Sequence, residues 1–203
     1  MIVEGLVTTR NEDGSPRIRP MGPKLVDDDP PSFNRFVLRP YRTSATYRNL
    51  IRDGQGVLHV VDDVLLLARA LLEDWPNGPP PTRPAARIEG FILEHACRYF
   101  EFRLENSDPR AIERAELEVR TVASGELRPF LGLNRAMGAV VEAAVLASRV
   151  HLLPHQTISE GFERLAIPVE KTGGPREREA FDLLRRFVDS ATKLVHPTSR
   201  PCD

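Results

Sequence analysis

Across residues 114–121 charge and apolarity alternate one for one: Arg114, Glu116, Glu118 and Arg120 against Ala115, Leu117, Val119 and Thr121. A period of two puts alternate side chains on opposite faces, so this segment predicts a half-buried antiparallel strand with one face in water. After residue 134 the period changes. Met137, Val140, Val141, Ala144, Val145 and Ser148 recur at helical spacing, and so do Ala180, Phe181, Leu184, Phe187, Val188 and Ala191. A chain patterned this way folds as a sheet first and as helices afterwards.

Upstream of the alternating segment most of the chain reads as strands. Residues 2–9 are β-prone, Asn11-Glu12-Asp13-Gly14 signals a turn, and an extended run follows over residues 16–26. Pro20 and Pro23 cannot donate to a ladder, which suits an edge or bulged strand. Asp27-Asp28-Asp29-Pro30-Pro31 reads as a loop and residues 33–38 as a third strand. Thr43 and Ser44 cap a short helix over residues 45–52 that Gly54 stops, and residues 56–61 form a buried strand. Asp62 or Asp63 then caps an apolar helix over residues 64–72. Five prolines in residues 76–84 predict a rigid surface loop. Residues 87–105 make a long aromatic-rich extended run, closed by a turn at Asn106-Ser107-Asp108-Pro109. The tail predicts helices over residues 134–150, from Thr157 or Ser159 toward Leu165, and from Gly173-Gly174-Pro175 onward.

With 203 residues the chain can form one ordinary domain or a domain with a small appendage. Lys and Arg balance Asp and Glu at a formal charge of −1, so there is no whole-protein basic field for a nucleic acid or an anionic membrane. Neither a membrane-spanning apolar run nor a signal-peptide layout at Met1-Ile2-Val3-Glu4-Gly5 is seen. Two distant cysteines, Cys97 and Cys202, support neither a disulfide framework nor a zinc site, and the default expectation is the cytoplasm.

Several residues that suggest chemistry have simpler readings. His95 and Cys97 share one face of an expected strand, but the pair suits a core better than a metal. His151 and His155 are separated by helix-breaking Pro154. Glu94-His95 has no companion serine for a hydrolytic triad, and neither a GxGxxG fingerprint nor a P-loop lysine occurs. More informative is Arg39-Pro40-Tyr41-Arg42-Thr43-Ser44-Ala45-Thr46-Tyr47-Arg48-Asn49. Residues 30–52 hold five arginines and no acid in a neutral chain. The hydroxyls at the helix start serve as caps or, with the first-turn amides and Arg42, hold a phosphate.

Four motifs stand in order: Thr8-Thr9-Arg10-Asn11-Glu12-Asp13-Gly14, Pro20-Met21-Gly22, Arg42-Thr43-Ser44-Ala45-Thr46-Tyr47-Arg48-Asn49-Leu50 and Val57-Leu58-His59-Val60-Val61-Asp62-Asp63-Val64. With them the chain resembles a family of uncharacterised proteins (domain of unknown function, number 447) among the FMN-binding split-barrel flavoproteins, related to flavin reductase-like and pyridoxamine phosphate oxidase-like proteins. Asn134-Arg135-Ala136, Val141-Glu142-Ala143-Ala144 and Glu170-Lys171-Thr172-Gly173-Gly174 extend the resemblance to the tail.

The resemblance implies a mainly β fold with α elements: a six-stranded antiparallel Greek-key FMN-binding split barrel over residues 1–125, with a C-terminal helical subdomain over residues 126–203. The helical part would pack on the barrel or on a dimer partner. FMN would bind near the interface of a homodimer, its phosphate held by Arg42, Thr43, Ser44 and Thr46 with Asn49 nearby. Pro20, Met21 and Gly22 would run beside the ring, whereas Arg17 and Arg19 depart from the small or amide side chains frequent there. Arg19 or Lys24 is either a cation near the flavin N1 or an exposed strand-edge charge. The implied function is that of an FMN flavoprotein, an oxidoreductase or electron-transfer protein using a nicotinamide or other small-molecule reductant. The alternative is a non-redox module for another phosphorylated ligand, or a structural dimer, on the same barrel. No catalytic side chain is singled out, because hydride chemistry would belong to the flavin N5.

Overall fold

A computed structural model of the chain describes residues 1–26, 30–108 and 113–195, with side chains through residue 191. The expected loop at Asp27-Asp28-Asp29, Pro109 of the expected turn and Cys202 lie outside the described residues. In chain order the elements are β1 (Leu6–Arg10), β2 (Pro16–Pro20), β3 (Lys24–Leu25), β4 (Arg35–Leu38), α1 (Ala45–Asp53), β5 (Gln55–Val60), α2 (Val64–Leu72), β6 (Thr82–Pro84) and β7 (Phe91–Leu93). They continue with β8 (Arg98–Asp108), β9 (Glu116–Glu126), α3 (Arg135–Ala147), α4 (His155–Thr172) and α5 (Pro175–Val195). Contacts group them into two compact units, residues 1–62 with 75–131, and residues 63–74 with 132 onward.

The first unit is built on a curled antiparallel sheet of order β2-β1-β5-β8-β9-β4-β3. It has seven strands where six were expected, and the reason is local. The run over residues 16–26 is broken by Pro20 and Pro23 into β2 and β3, because neither proline supplies the N–H a continuous strand needs. Both pieces still answer to the chain's beginning: β2 pairs with β1 from Leu6↔Pro20 to Arg10↔Pro16, and Ile2 bridges Lys24 of β3. Between them the Met21 amide donates to the Gly5 carbonyl at 2.9 Å, so the interruption keeps its hydrogen bonding.

From Glu116 the alternating segment forms the first part of β9. Leu117 and Val119 are buried while Glu116, Glu118 and Arg120 are exposed. They join Val7, Phe36, Leu38, Leu50, Leu58 and Phe102 in one core, where the Phe36 and Phe102 rings meet edge to face at 5.6 Å. Leu50 is α1's contribution to this core, which is why a nine-residue helix is stable there.

Two expected stretches differ. The run over residues 87–105 is divided into β7 and β8 by a turn in which the Ala96 amide donates to Leu93 and the Cys97 amide to Val60. The proline-rich residues 76–84 are not all loop, since residues 82–84 form β6 and pair with β7 in a two-stranded sheet.

In the helical unit α2 is buried on nearly every side, an apolar segment that could not lie on a sheet surface in water. Asp63 caps it, accepting from the Leu65 and Leu66 amides at 3.1 Å, and also receives Arg176 of α5. The buried stripe of α3 runs through Ala136, Ala139, Ala143 and Ala147, so its backbone can approach α4 closely. Gly161 of α4 answers Leu146: a Cβ there would lie 2.5 Å from the leucine methyl. α4 runs past the expected stop at Leu165, through Pro168, to Thr172. Ile158, Phe162 and Val169 bury on both sides of the proline, and that packing offsets the roughly 3 kcal/mol an interior proline costs.

Candidate functional site

The start of α1 gathers four of the candidate residues, Arg42, Thr43, Ser44 and Thr46, at its cap, and Asn49 follows in the next turn. Ser44 is the N-cap, with extended backbone (φ −75°, ψ 148°), and its Oγ accepts the Tyr47 amide at 3.1 Å. The hydroxyl therefore retains its own proton to donate. Its backbone N–H donates to the Tyr41 carbonyl at 2.9 Å, closing a turn over residues 41–44. The amides of Ala45 and Thr46 are first-turn donors, which helical geometry leaves without an acceptor inside the helix. Thr43 is exposed and Thr46 is buried. Arg42 lies half-buried, its guanidinium donating to Tyr47 Oη at 3.2 Å and to the Asp108 carbonyl at 3.1 Å. Arg48 turns back to the Thr43 carbonyl at 2.8 Å. No acid lies in the helix's first turn, so the positive end of its dipole is left uncompensated.

Asn49 has a different task. It is buried, and its amide donates at 3.1 Å both to Thr9 Oγ1 and to Asn11 Oδ1, while its oxygen accepts from Arg52 at 3.3 Å. All of its amide capacity facing the sheet is engaged by β1 and the turn after it. Asn49 thus aims α1 at β1 and sets where the cap points, one turn away. Its partners Thr9 and Asn11 come from the first of the four sequence motifs, and this contact is the physical reason those two segments belong together.

Pro20, Met21 and Gly22 lie where β2 gives way to β3, opposite Leu6 and Gly5. Met21 and Tyr47 are both half-buried and pack on the same core, which brings the strand break and the first turn of α1 to one body of side chains. A Cβ on Gly22 would lie 2.8 Å from the Ile2 side chain, so this glycine serves the close approach of the N-terminal segment. Lys24 is exposed on β3, and Arg19 is half-buried opposite Val7.

Other polar groups of this unit are structural. His59 is fully buried: its Nε2 accepts the Leu93 amide at 3.0 Å, which fixes Nδ1 as the protonated nitrogen facing the Leu6 carbonyl at 3.2 Å. Desolvation pushes its pKa down to about 3. Glu101, equally buried, accepts the Ala86 and Arg87 amides at 2.9 and 2.7 Å and holds the 85–90 loop. Asp62 is held well below the ordinary carboxylate range by Arg128, and it also accepts the Leu131 amide at 3.0 Å and the Cys97 thiol. Burial, then Asp62, push the Cys97 thiol up, which leaves it a poor nucleophile. His95 is exposed in the turn while Cys97 is buried, so they do not share a strand face. Among the described residues no group of His, Cys, Asp and Glu is arranged to hold a metal, and no helix is long and apolar enough to cross a membrane. Two grooves on α4 and α5, about 190 and 290 Å³, contain none of the candidate residues.

The donor set at α1 suits a phosphate dianion: the hydroxyls of Thr43, Ser44 and Thr46, two first-turn amides and a half-buried guanidinium, with no acid in the helix's first turn. Sequence reasoning found these groups but not Tyr47, which fixes Arg42, nor the Thr9–Asn49 link; both needed the fold.

Comparison with known proteins bears on the whole chain. The family model described as protein of unknown function (DUF447) N-terminal domain matches residues 3–128, and that described as protein of unknown function (DUF447) matches residues 134–186. Among solved structures, an FMN-bound protein from Methanosarcina mazei, assigned to the same family, is similar at a TM-score of 0.77 and 21% identity, over 92% of this chain and 94% of that one. Nitrilotriacetate monooxygenase component B from Bacillus cereus is similar at 0.52 and 19% identity, over 66% and 75% of the two chains. An FMN-binding protein from Thermus thermophilus, with bound 1-cyclohex-2-enone, is similar at 0.51 and 18% identity, over 62% and 70%. No curated protein matches the chain in sequence. These likenesses establish a common fold.

Proposed function

The chain belongs to the DUF447 family, and from that premise we propose that it is an FMN-binding flavoprotein acting as an oxidoreductase or electron-transfer protein. The observation that carries this reading is the likeness, over nine tenths of both chains, to an FMN-bound protein. In this reading the curled sheet, with Ile2 bridged to β3, is a Greek-key split barrel. Thr43, Ser44 and Thr46, the first-turn amides of α1 and Arg42 hold the phosphate. Asn49 orients α1 from below, and the backbone of Pro20, Met21 and Gly22 lies beside the ring. Bound FMN supplies a carrier whose N5 takes or gives a hydride, so this chain's residues bind, orient and keep water out. A nicotinamide or other small-molecule reductant, a homodimer with the site near its interface, and a cytoplasmic setting complete the proposal.

The test is a titration of the flavin-free chain with FMN and riboflavin. FMN should bind more tightly than riboflavin. Arg42→Ala and Ser44→Ala should each weaken FMN about tenfold, the worth of one charge-assisted hydrogen bond, and leave riboflavin unchanged. A chain that binds no FMN overturns the function. Variants that bind FMN as well as the parent overturn the phosphate assignment alone and favour the capping role of Ser44.

A further inference from the structure

Four exposed charges of alternating sign run along one face of α5: Arg178, Asp182, Arg185 and Asp189. Steps of four, three and four residues keep them in a single stripe. On a solvated helix such a stripe ordinarily closes ion pairs within itself. Here it does not. Arg178 donates to the Glu170 carbonyl of α4 at 3.4 Å, and the Arg185 guanidinium lies 5.0 Å from the Phe181 ring centroid. Among the described residues neither Asp182 nor Asp189 belongs to an ion pair. The same four side chains form the α5 wall of the two grooves against α4, one over Phe162 and Val188, the other over Val169 and Phe181. The α4 side of the grooves carries His155, Glu163 and Glu170, so the alternation belongs to α5 alone.

The order of the signs names the occupant. A stripe reading plus, minus, plus, minus opposes like charges when a copy of itself lies parallel and in register. Turned antiparallel about a two-fold axis between Leu183 and Leu184, it sets Arg178 opposite the partner's Asp189 and Asp182 opposite the partner's Arg185. The axis repeats both pairs, so one placement satisfies every charge over about 16 Å of helix. Opposed charges of this kind fix orientation and register, and the apolar groove floors supply surface to bury.

We propose that α5 pairs antiparallel with α5 of a second copy of this chain, its charge stripe seated along the grooves, and that the helical unit is thereby a self-association surface. The inference does not rest on the flavin reading, since none of the four residues belongs to the candidate flavin site. The test is charge exchange read by sedimentation velocity. Asp182→Lys with Asp189→Lys makes the stripe wholly basic and removes no ion pair among the described residues. Arg178→Glu with Arg185→Glu makes it wholly acidic. Each double variant, folded by circular dichroism, should sediment at half the parent's mass, and an equimolar mixture of the two should return to the parent's mass. A homodimer formed at the flavin site leaves this halving in place, because it doubles parent and variants alike. A monomeric parent, or a basic variant at the parent's mass, overturns the proposal. Halved variants that do not recombine overturn it as well, because antiparallel pairing requires the acidic stripe to accept the basic one. If the acidic variant does not fold, the basic variant decides alone: half the parent's mass supports the interface and an unchanged mass overturns it.

Discussion

Replacing Asn49 by alanine separates a strut from a ligand. In the folded chain Asn49 donates two hydrogen bonds of 3.1 Å, to Thr9 and Asn11, and accepts one of 3.3 Å from Arg52. Each donated bond is worth about 1 kcal/mol net. The third contributes less, because Arg52 keeps Asp53 and the Arg10 carbonyl as partners. Alanine returns about 0.5 kcal/mol in helix propensity. The sum is a loss of about 2 kcal/mol, which at an m-value of roughly 2 kcal/mol/M lowers the urea midpoint by about 1 M. The assay is urea unfolding followed by circular dichroism, paired with FMN titration in the absence of urea. A strut predicts the midpoint shift with an unchanged m-value and an FMN affinity within about threefold of the parent. If the midpoint moves by less than about 0.3 M while FMN affinity falls tenfold, Asn49 is a direct ligand and the assignment of its bonds to the sheet is wrong.

Two further outcomes follow from the core. His59 has a pKa near 3 when folded against an ordinary 6.5, so below about pH 6.5 the unfolded chain takes up a proton that the native state refuses. Stability should be complete above pH 6.5 and fall by up to about 1.4 kcal/mol per pH unit between 6.5 and 4.5; unfolding of His59→Gln with an undiminished slope there would contradict this. Gly56→Ala should destabilise by about 1–3 kcal/mol, because its Cβ would sit 2.8 Å from the Phe102 ring and 2.9 Å from the Thr8 carbonyl, while Gly138→Ala, with open space around it, should stabilise by up to about 1 kcal/mol; equal midpoints for the two variants in thermal or urea unfolding would refute the packing argument.

Local signals were legible wherever one residue decides one element. Ser44 as cap and Gly54 in the left-handed region at φ 63° stand where the sequence places them, and of Asp62 or Asp63 the cap of α2 is Asp63, since each acts on groups within a few residues of itself. The continuation of α4 past Leu165 and the division of residues 87–105 were not legible, for the opposite reason. The helix through Pro168 is held by Ile158, Phe162 and Val169, and the turn before β8 by the Val60 carbonyl. Those partners are remote in sequence and have no local mark.

By itself the sequence determined that a sheet precedes a helical tail, because the alternation at 114–121 and the stripes after 134 fit only one period each. It also determined that the α1 cap is rich in hydroxyl and guanidinium groups and free of acid. Only the tertiary structure decided that Asn49 holds Thr9, that Tyr47 and Asp108 hold Arg42, and that Arg114 holds Tyr41. Each of these links joins residues five to seventy-three positions apart, and such contacts are selected by the packing of whole elements, which no local spacing encodes.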